Sequence, residues 1–486
     1  MKQRVFVLGA GLAGLTLAAR LLRRRDLDIE VTLVERERDV GGLAGSFEYE
    51  GLYFDYGSHR LHPVAPPEVL RDVRALLGPD LLERRSKGRI RISGRFVEFP
   101  LNPVDLVLRL PPSFLAGVVR DTVTGPFRRR RRVPISFGDV LLDGLGQTIC
   151  ESFYFPYARK LWGLEPADIS PVQAGRRVSA SSIAKMMRRA LAAIPGCRPR
   201  GARRFLYPRR GFGQIGQAMA EEVRFLGGRV LLSTVSHEVR LQNGRVTSLV
   251  VGPSTAARAG ELQETASGLE ESRADFVFST IPVTGLLDSL RPAPVAEVKG
   301  ARQKIRYRGM VLCYLVLDTH RFSPYDSHYF PEADLPFSRV SEPKNYSASE
   351  EPSGVTGLCV EIPCWPGDDT WNAPEREIGH MVVNYLERAG LPLRSPVKAT
   401  FVRRLPQAYP VYARGFEPQF RIIDDYLAGI SNLVSLGRQG LFAHDNVHHT
   451  MEMAYRASEC LGPGLGWNSE MWRLRREQFT RHVVVD

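Results

Sequence analysis

No apolar run in this sequence is long enough to cross a bilayer, which excludes a protein anchored by spanning helices. Cysteine is scarce. The six residues Cys150, Cys197, Cys313, Cys359, Cys364 and Cys460 form no CxxC pair and no ligand spacing with histidine, so buried free thiols are expected and no metal site is assigned. A charged start, an apolar stretch and a small-residue cleavage site are all missing before the strand-like Val5-Phe6-Val7-Leu8, and the expected location is cytoplasmic. Repeats of solenoid period are missing too. Acids are outnumbered, 53 against 66 basic residues, for a net charge of +13. The surplus is arginine, in the block Arg128 to Arg132 and in the cluster Arg198, Arg200, Arg203, Arg204, Arg209 and Arg210. It favours an anionic small-molecule substrate or peripheral contact with an anionic membrane surface, with no specific nucleic-acid partner expected. A solvated basic loop is the bland alternative for the Arg128 block.

What is present is an ordinary globular composition, 43% hydrophobic and 24% charged, in a chain too long for one core. Residues 4–10 read as a buried strand, 12–25 as a helix and 30–35 as a second strand, a βαβ unit with a tight glycine turn. Asn243-Gly244 marks a hairpin between apolar runs at 227–232 and 245–251, which predicts a meander there. Residues 252–273 lack apolar periodicity and read as a surface loop, and a strand resumes at 275–282. Residues 103–193 are mostly helical by spacing, and 305–317 is an apolar strand that starts a second sheet. A strand at 433–436, a glycine turn at 437–440 and a helix from about 448 to 460 close the chain.

The chemistry begins at Gly9-Ala10-Gly11-Leu12-Ala13-Gly14, a GxGxxG between strand and helix, with Glu35 closing the second strand. Gly9 permits the turn, Gly11 lets the backbone approach a pyrophosphate, Gly14 lets helix and strand pack, and Glu35 accepts from a ribose hydroxyl. The helix N-terminus faces the phosphates with free N–H groups. The following stretch, Glu35-Arg36 with Gly41-Gly42-Leu43 close behind, resembles the glutathione-reductase-type flavoprotein clan. That clan includes amine oxidases, protoporphyrinogen oxidases, phytoene desaturases and UDP-galactopyranose mutases. Leu43 stands where many of its oxidases have arginine.

The resemblance implies FAD as cofactor and an α/β fold, a Rossmann-like FAD-binding domain interleaved with an α+β substrate domain. The FAD domain is expected from residues 1–75, 205–290 and 396–486, and the substrate domain from 76–204, mainly helical, and 291–395, a sheet. Beyond the glycine turn, with Leu12 and Ala13, the implied FAD contacts are Gly57, Ser58 and His59, then Val235 and Thr280. Gly437 and Arg438 at the last glycine turn, followed by Asn446 and Val447, complete them. Arg438 at a helix start is expected to serve an anionic partner more than the fold.

The string Asp55-Tyr56-Gly57-Ser58-His59-Arg60-Leu61-His62-Pro63 resembles the mutases' GxHxxH loop, with Phe99-Pro100 further on. Lys160-Leu161-Trp162-Gly163 is similar to their Lys-x-Trp element, Arg339 to Lys344 to their RxxExK strand, and Tyr409-Pro410-Val411-Tyr412 to their tyrosine-proline stretch. The resemblance thus implies His59, His62, Arg177 and Arg339 as catalytic residues, and Trp162, Arg176, Lys344, Tyr409 and Tyr412 as substrate contacts. Turn histidines, a core tryptophan and an exposed strand face are the alternatives. His448 stands where mutases keep an aspartate, and Asp445, His448 and His449 read as capping residues rather than metal ligands. The whole chain is most similar to protoporphyrinogen-oxidase-like and amine-oxidase-like oxidoreductases, in which flavin N5 accepts a hydride, here from an anionic substrate. A redox-neutral enzyme like the mutases, with reduced N5 attacking the anomeric carbon of a nucleotide sugar, is the second reading. A non-catalytic flavin-binding scaffold is the third.

Overall fold

The computed structural model describes residues 2–99, 105, 108–128, 134–177, 204–254 and 268–484. Pro100, Cys197, Arg129 to Arg132 and the arginines at 198, 200 and 203 lie outside them. The alternation at the N-terminus produces the strand Gln3–Leu8, whose last four residues are buried on both sides, as a strand flanked by helices must be. It pairs in parallel with Ile29–Val34 on one side and Phe276–Ser279 on the other. Arg229–Leu231 and Leu433–Ser435 extend the sheet outwards, also in parallel. In order of sequence the five strands lie 5-4-1-2-3, the doubly wound arrangement, and the order reverses between Gln3–Leu8 and Phe276–Ser279. A ligand crevice belongs at that switch point, outside the carboxyl ends of the strands.

Two expectations need correction here. Residues 229–231 do not belong to a meander; they add a parallel strand beside Ile29–Val34, while the hairpin proper runs from Thr234–Gln242 to Arg245–Pro253. Its turn residues Asn243 and Gly244 both have positive φ, 52° and 70°, as a two-residue hairpin turn requires. The loop expected over 252–273 ends in a strand, Glu270–Arg273, paired antiparallel to Arg245–Pro253. It is a mostly exposed edge strand made of charged and small residues. Such a strand has no apolar alternation to read, because neither face is buried, and its charges guard the sheet edge.

The second sheet has seven strands in the order Val397–Val411, Arg306–Leu317, Thr356–Cys364, Arg339–Ser341, Ser327–Tyr329, Gly88–Ile92 and Arg95–Phe99. Arg306–Leu317 is buried at every position after its first, and its alternate residues enter two different cores. Val311, Cys313, Leu315 and Leu317 meet Ile378, Val382 and Leu386 of the helix Glu375–Arg388. Met310, Leu312, Tyr314 and Val316 meet Phe54 and Tyr56 of the N-terminal region. The strand thereby puts one face of the second sheet over the crevice of the first. The five described cysteines are free and buried, as expected. Among the described residues no helix is long and apolar enough to cross a membrane.

Candidate active site

A cavity of about 910 Å³ occupies the switch point. Its floor is the glycine turn. Glu35 reaches back beneath this turn, its Oε2 accepting from Ala10 N–H at 2.7 Å and its Oε1 from Glu37 N–H at 3.0 Å. Burial pushes the Glu35 carboxyl above its ordinary range, against these two N–H groups. Gly41 N–H donates to Ala10 O at 2.8 Å, which brings the Gly41-Gly42 turn against Gly11. Gly41 and Gly42 have φ of 103° and 57°, values that suit glycine. Two helix N-termini open on the cavity, one through Gly11, Leu12 and Ala13, the other through Asn446 and Val447. Their dipole ends favour an anion between them.

Arg36, Leu43, Gly57, Ser58, His59, Val235, Thr280, Arg339, Tyr409 and Arg438 also line the cavity, so most of the expected cofactor contacts converge there. Gly14 and Gly437 lie behind the wall. A Cβ on Gly14 would sit 2.0 Å from Gly9 O, so its glycine is a packing requirement. The His59 loop is held from below by Asp55, which is buried and accepts from Ser46 Oγ (2.6 Å), Tyr207 Oη (2.6 Å) and Phe212 N–H (2.8 Å). His59 Nε2 lies 3.1 Å from Tyr56 O, where it donates, and burial lowers the pKa of the ring. A neutral imidazole results, with Nδ1 left as acceptor.

Several expected substrate or catalytic residues are elsewhere. His62 does not line the cavity. Trp162 is buried against Phe137 in the core of the helical region, with ring centroids 5.4 Å apart. Tyr412 is buried too, its hydroxyl donating to Phe442 O at 2.9 Å while its ring stacks on Phe416. Lys344 turns away, its Nζ donating to the carbonyls of Pro352 (2.6 Å), Val355 (2.9 Å) and His320 (3.3 Å). Lys160 likewise donates to Phe330 O, Glu332 O and Phe337 O. Buried ammonium groups need such acceptors, and loop carbonyls supply them. Arg176 donates to Phe479 O at 2.7 Å and lies 3.5 Å from Asp445, so it fastens the C-terminal segment whose Val484 lines the cavity. Arg177 ends the short helix Val172–Arg177, and its side chain lies outside the described residues.

Sequence reasoning missed Glu361. Arg339 Nε and Nη2 both meet its carboxylate at 2.8 Å, and Ser58 N–H donates to the same group at 2.8 Å. Its signal was available: it is the single acid in Thr356–Cys364, a strand buried at all nine positions. Tyr157, Tyr329, Met310, Leu312, Leu405 and Trp371 were also missed, and they give the cavity a ring-rich, aliphatic wall.

Arg438 departs from its expected role. Its Nη1 donates to Asp445 O at 2.8 Å and its Nη2 to Ala408 O at 3.0 Å, and the guanidinium lies over the Tyr409 ring. It ties the last turn to the long strand of the second sheet. Arg438→Ala is therefore expected to destabilise the FAD-free protein by about 2 kcal/mol, the usual scale for losing bonds from a charged group. Denaturant unfolding measures this; unchanged stability with weakened flavin retention would restore the ligand-directed role.

The family model described as flavin containing amine oxidoreductase matches residues 12–459. No curated protein matches the chain. Among solved structures, a reduced UDP-galactopyranose mutase is similar over 100% of both chains at 19% identity, with a TM-score of 0.78. A protein from Exiguobacterium sp. 255-15 described as a protoporphyrinogen oxidase is similar over 94% of this chain and 98% of its own, at 18% identity and a TM-score of 0.70. A putrescine oxidase bound to putrescine covers 94% of this chain and 98% of its own at 15% identity, with a TM-score of 0.61. At these identities the likeness is one of fold.

Proposed function

Because the chain belongs to the flavin-containing amine oxidoreductase family, we propose that it is an FAD-dependent oxidoreductase that takes a hydride from a small molecule held against the ring-rich wall of the cavity. The residues fit FAD. Gly11 has an ordinary backbone, φ −71° and ψ 174°, and a Cβ there would find no protein atom nearer than 3.9 Å. Nothing in the protein demands glycine at 11, so the space it leaves suits a ligand backbone, the pyrophosphate. Glu35 is held with its carboxylate beside the turn, placed for an adenosine ribose. Leu12, Ala13, Asn446 and Val447 would present the helix N-termini to the phosphates, and Thr280, Val235 and Ser58 would border the rest.

FAD, when bound, supplies the two-electron acceptor at N5. The protein's part is to orient and to exclude water. Tyr157, Tyr329, Tyr409, Met310 and Leu312 would fix the substrate by contact, and the neutral His59 would offer an acceptor beside the site.

The observation that carries an oxidoreductase over a nucleotide-sugar mutase is the dispersal of the diphosphate-binding set. Lys344, Trp162, Tyr412 and Arg176 do not reach the cavity. Of the arginines that do, Arg60, Arg339, Arg404 and Arg438 are bonded within the protein, and Arg36 and Arg403 meet only one carboxylate, Glu37, at 3.2 and 3.5 Å.

Two measurements test the reading. The purified protein should be yellow and release FAD, not FMN, on denaturation; a colourless protein that cannot be reconstituted with FAD refutes it. Dithionite-reduced protein incubated with UDP-galactopyranose should give no furanose isomer. An isomer formed only in the reduced state would assign the mutase chemistry instead.

A further inference from the structure

The helix Ser469–Phe479 ends in the first core, where Trp472 and Phe479 are buried. Beyond it the chain runs from Thr480 to Val484 with no strand, no helix and no buried residue, yet Val484 lines the cavity. Among the described residues, the backbone of this stretch makes one backbone hydrogen bond beyond that helix, from Val484 N–H to Arg176 O at 2.8 Å. A segment that buries so little of itself opens at small cost. Its side-chain contacts therefore decide how long that part of the cavity wall stays shut.

Those contacts reach two different parts of the molecule. Arg176 Nη1 donates to Phe479 O at 2.7 Å, and its helix, Val172–Arg177, packs Ala174 into the core of the helical region. On the other side, His482 Nδ1 donates to Asp445 Oδ1 at 3.2 Å, its ring stacks on His449 with centroids 4.1 Å apart, and its Nε2 lies 3.7 Å from Glu452 Oε2. Asp445 precedes the helix Val447–Cys460, which carries His449 and Glu452 and packs Met451, Met453 and Ala454 into the first core. The stretch thus joins the helical region to the first core beside Asp445, Asn446 and Val447, which line the same cavity. His482 is the contact best placed to let go. Its side chain is 11% exposed, so water can take over its hydrogen bonds as the stretch lifts, and Asp445 would keep Arg176 at 3.5 Å and His449 at 3.3 Å.

We propose that residues 480–484 are a latch on the cavity, with His482 as its catch, and that the latch sets how fast FAD enters and leaves. The proposal rests on the reading of the cavity as an FAD site. A gate differs from a ligand contact in its kinetics: loosening it speeds passage both ways, so release and rebinding both accelerate while Kd moves less than either rate. The test follows flavin fluorescence of the full-length protein, during release on dilution and during rebinding of FAD to the stripped protein. His482→Ala should raise both rates about tenfold, the factor that one hydrogen bond to a charged group is worth. His482→Asn places an N–H donor near the position of Nδ1 and should keep both rates within about threefold of the parent. The melting temperature of the FAD-free protein should be the same in all three, because Trp472 and Phe479 stay buried and Asp445 keeps its other partners. Unchanged rates in His482→Ala would overturn the proposal. So would faster release with unchanged or slower rebinding, which would make His482 a support of the site and not a gate. Failure of the parent itself to bind FAD would overturn the cofactor reading together with the latch, and it shows before any variant is made.

Discussion

Gly11→Ala should yield a folded protein that has lost its flavin. The added Cβ has protein neighbours only at 3.9 Å, Gly41 O and Gly42 Cα, and the backbone there suits any residue. At this helix N-cap, alanine is a poorer cap than glycine by roughly 0.5–1 kcal/mol, while restricting the unfolded chain returns about the same. The FAD-free melting temperature should accordingly barely move. The methyl group would instead stand where the pyrophosphate approaches the backbone, and we expect an affinity loss of about 100-fold or more, about 3 kcal/mol. Gly14→Ala should behave in the opposite way. Its Cβ would lie 2.0 Å from Gly9 O and 3.2 Å from Val7 Cγ1, so the helix must move off the strand. Overpacking of this kind costs about 3 kcal/mol. Measuring flavin titration and FAD-free unfolding on both variants separates the two glycines, and a Gly11→Ala protein with full flavin occupancy would show the motif to be only a turn.

This contrast also shows what the sequence could convey. The glycine turn, Glu35, the Asn243-Gly244 hairpin and the central strand near 305–317 were legible because each depends on local backbone geometry or on burial of both faces. The interleaving of distant segments in one sheet followed from the resemblance, since no local pattern states that Leu433–Ser435 lies beside Phe276–Ser279. That most of the expected cofactor positions line one cavity was legible for the same reason as the turn: they sit at glycine turns and helix starts, where position along the chain nearly determines place. The substrate side was not. A lysine or arginine in a matching string can point to a ligand or to loop carbonyls, and the choice rests on tertiary packing. Lys344 and Tyr412 went to the carbonyls of Pro352 and Phe442. Glu361 went unread although an ionisable group in a wholly buried strand must have a partner.

That partnership gives the other large effect. Arg339 and Glu361 form a bidentate pair with side chains only 16% and 4% exposed, at the edge of the cavity, and Ser58 N–H completes the acceptor's coordination. Removing either charge alone leaves the other buried without a counter-ion, so Arg339→Met and Glu361→Gln should each destabilise the protein by about 3–5 kcal/mol. Combining them removes both charges, and the amide oxygen introduced by Glu361→Gln still offers an acceptor to Ser58 N–H. The double variant should thus recover at least half of the loss, because a buried ion pair contributes little net stability over a neutral replacement. A residue whose charge is reserved for substrate behaves differently. Were Arg339 such a residue, Arg339→Met would leave FAD-free stability within about 0.5 kcal/mol of the parent and show no coupling to Glu361→Gln. Urea unfolding of the four proteins in this cycle, each stripped of flavin, decides between a pair that holds the Ser58 turn against the cavity and an arginine held ready for a ligand.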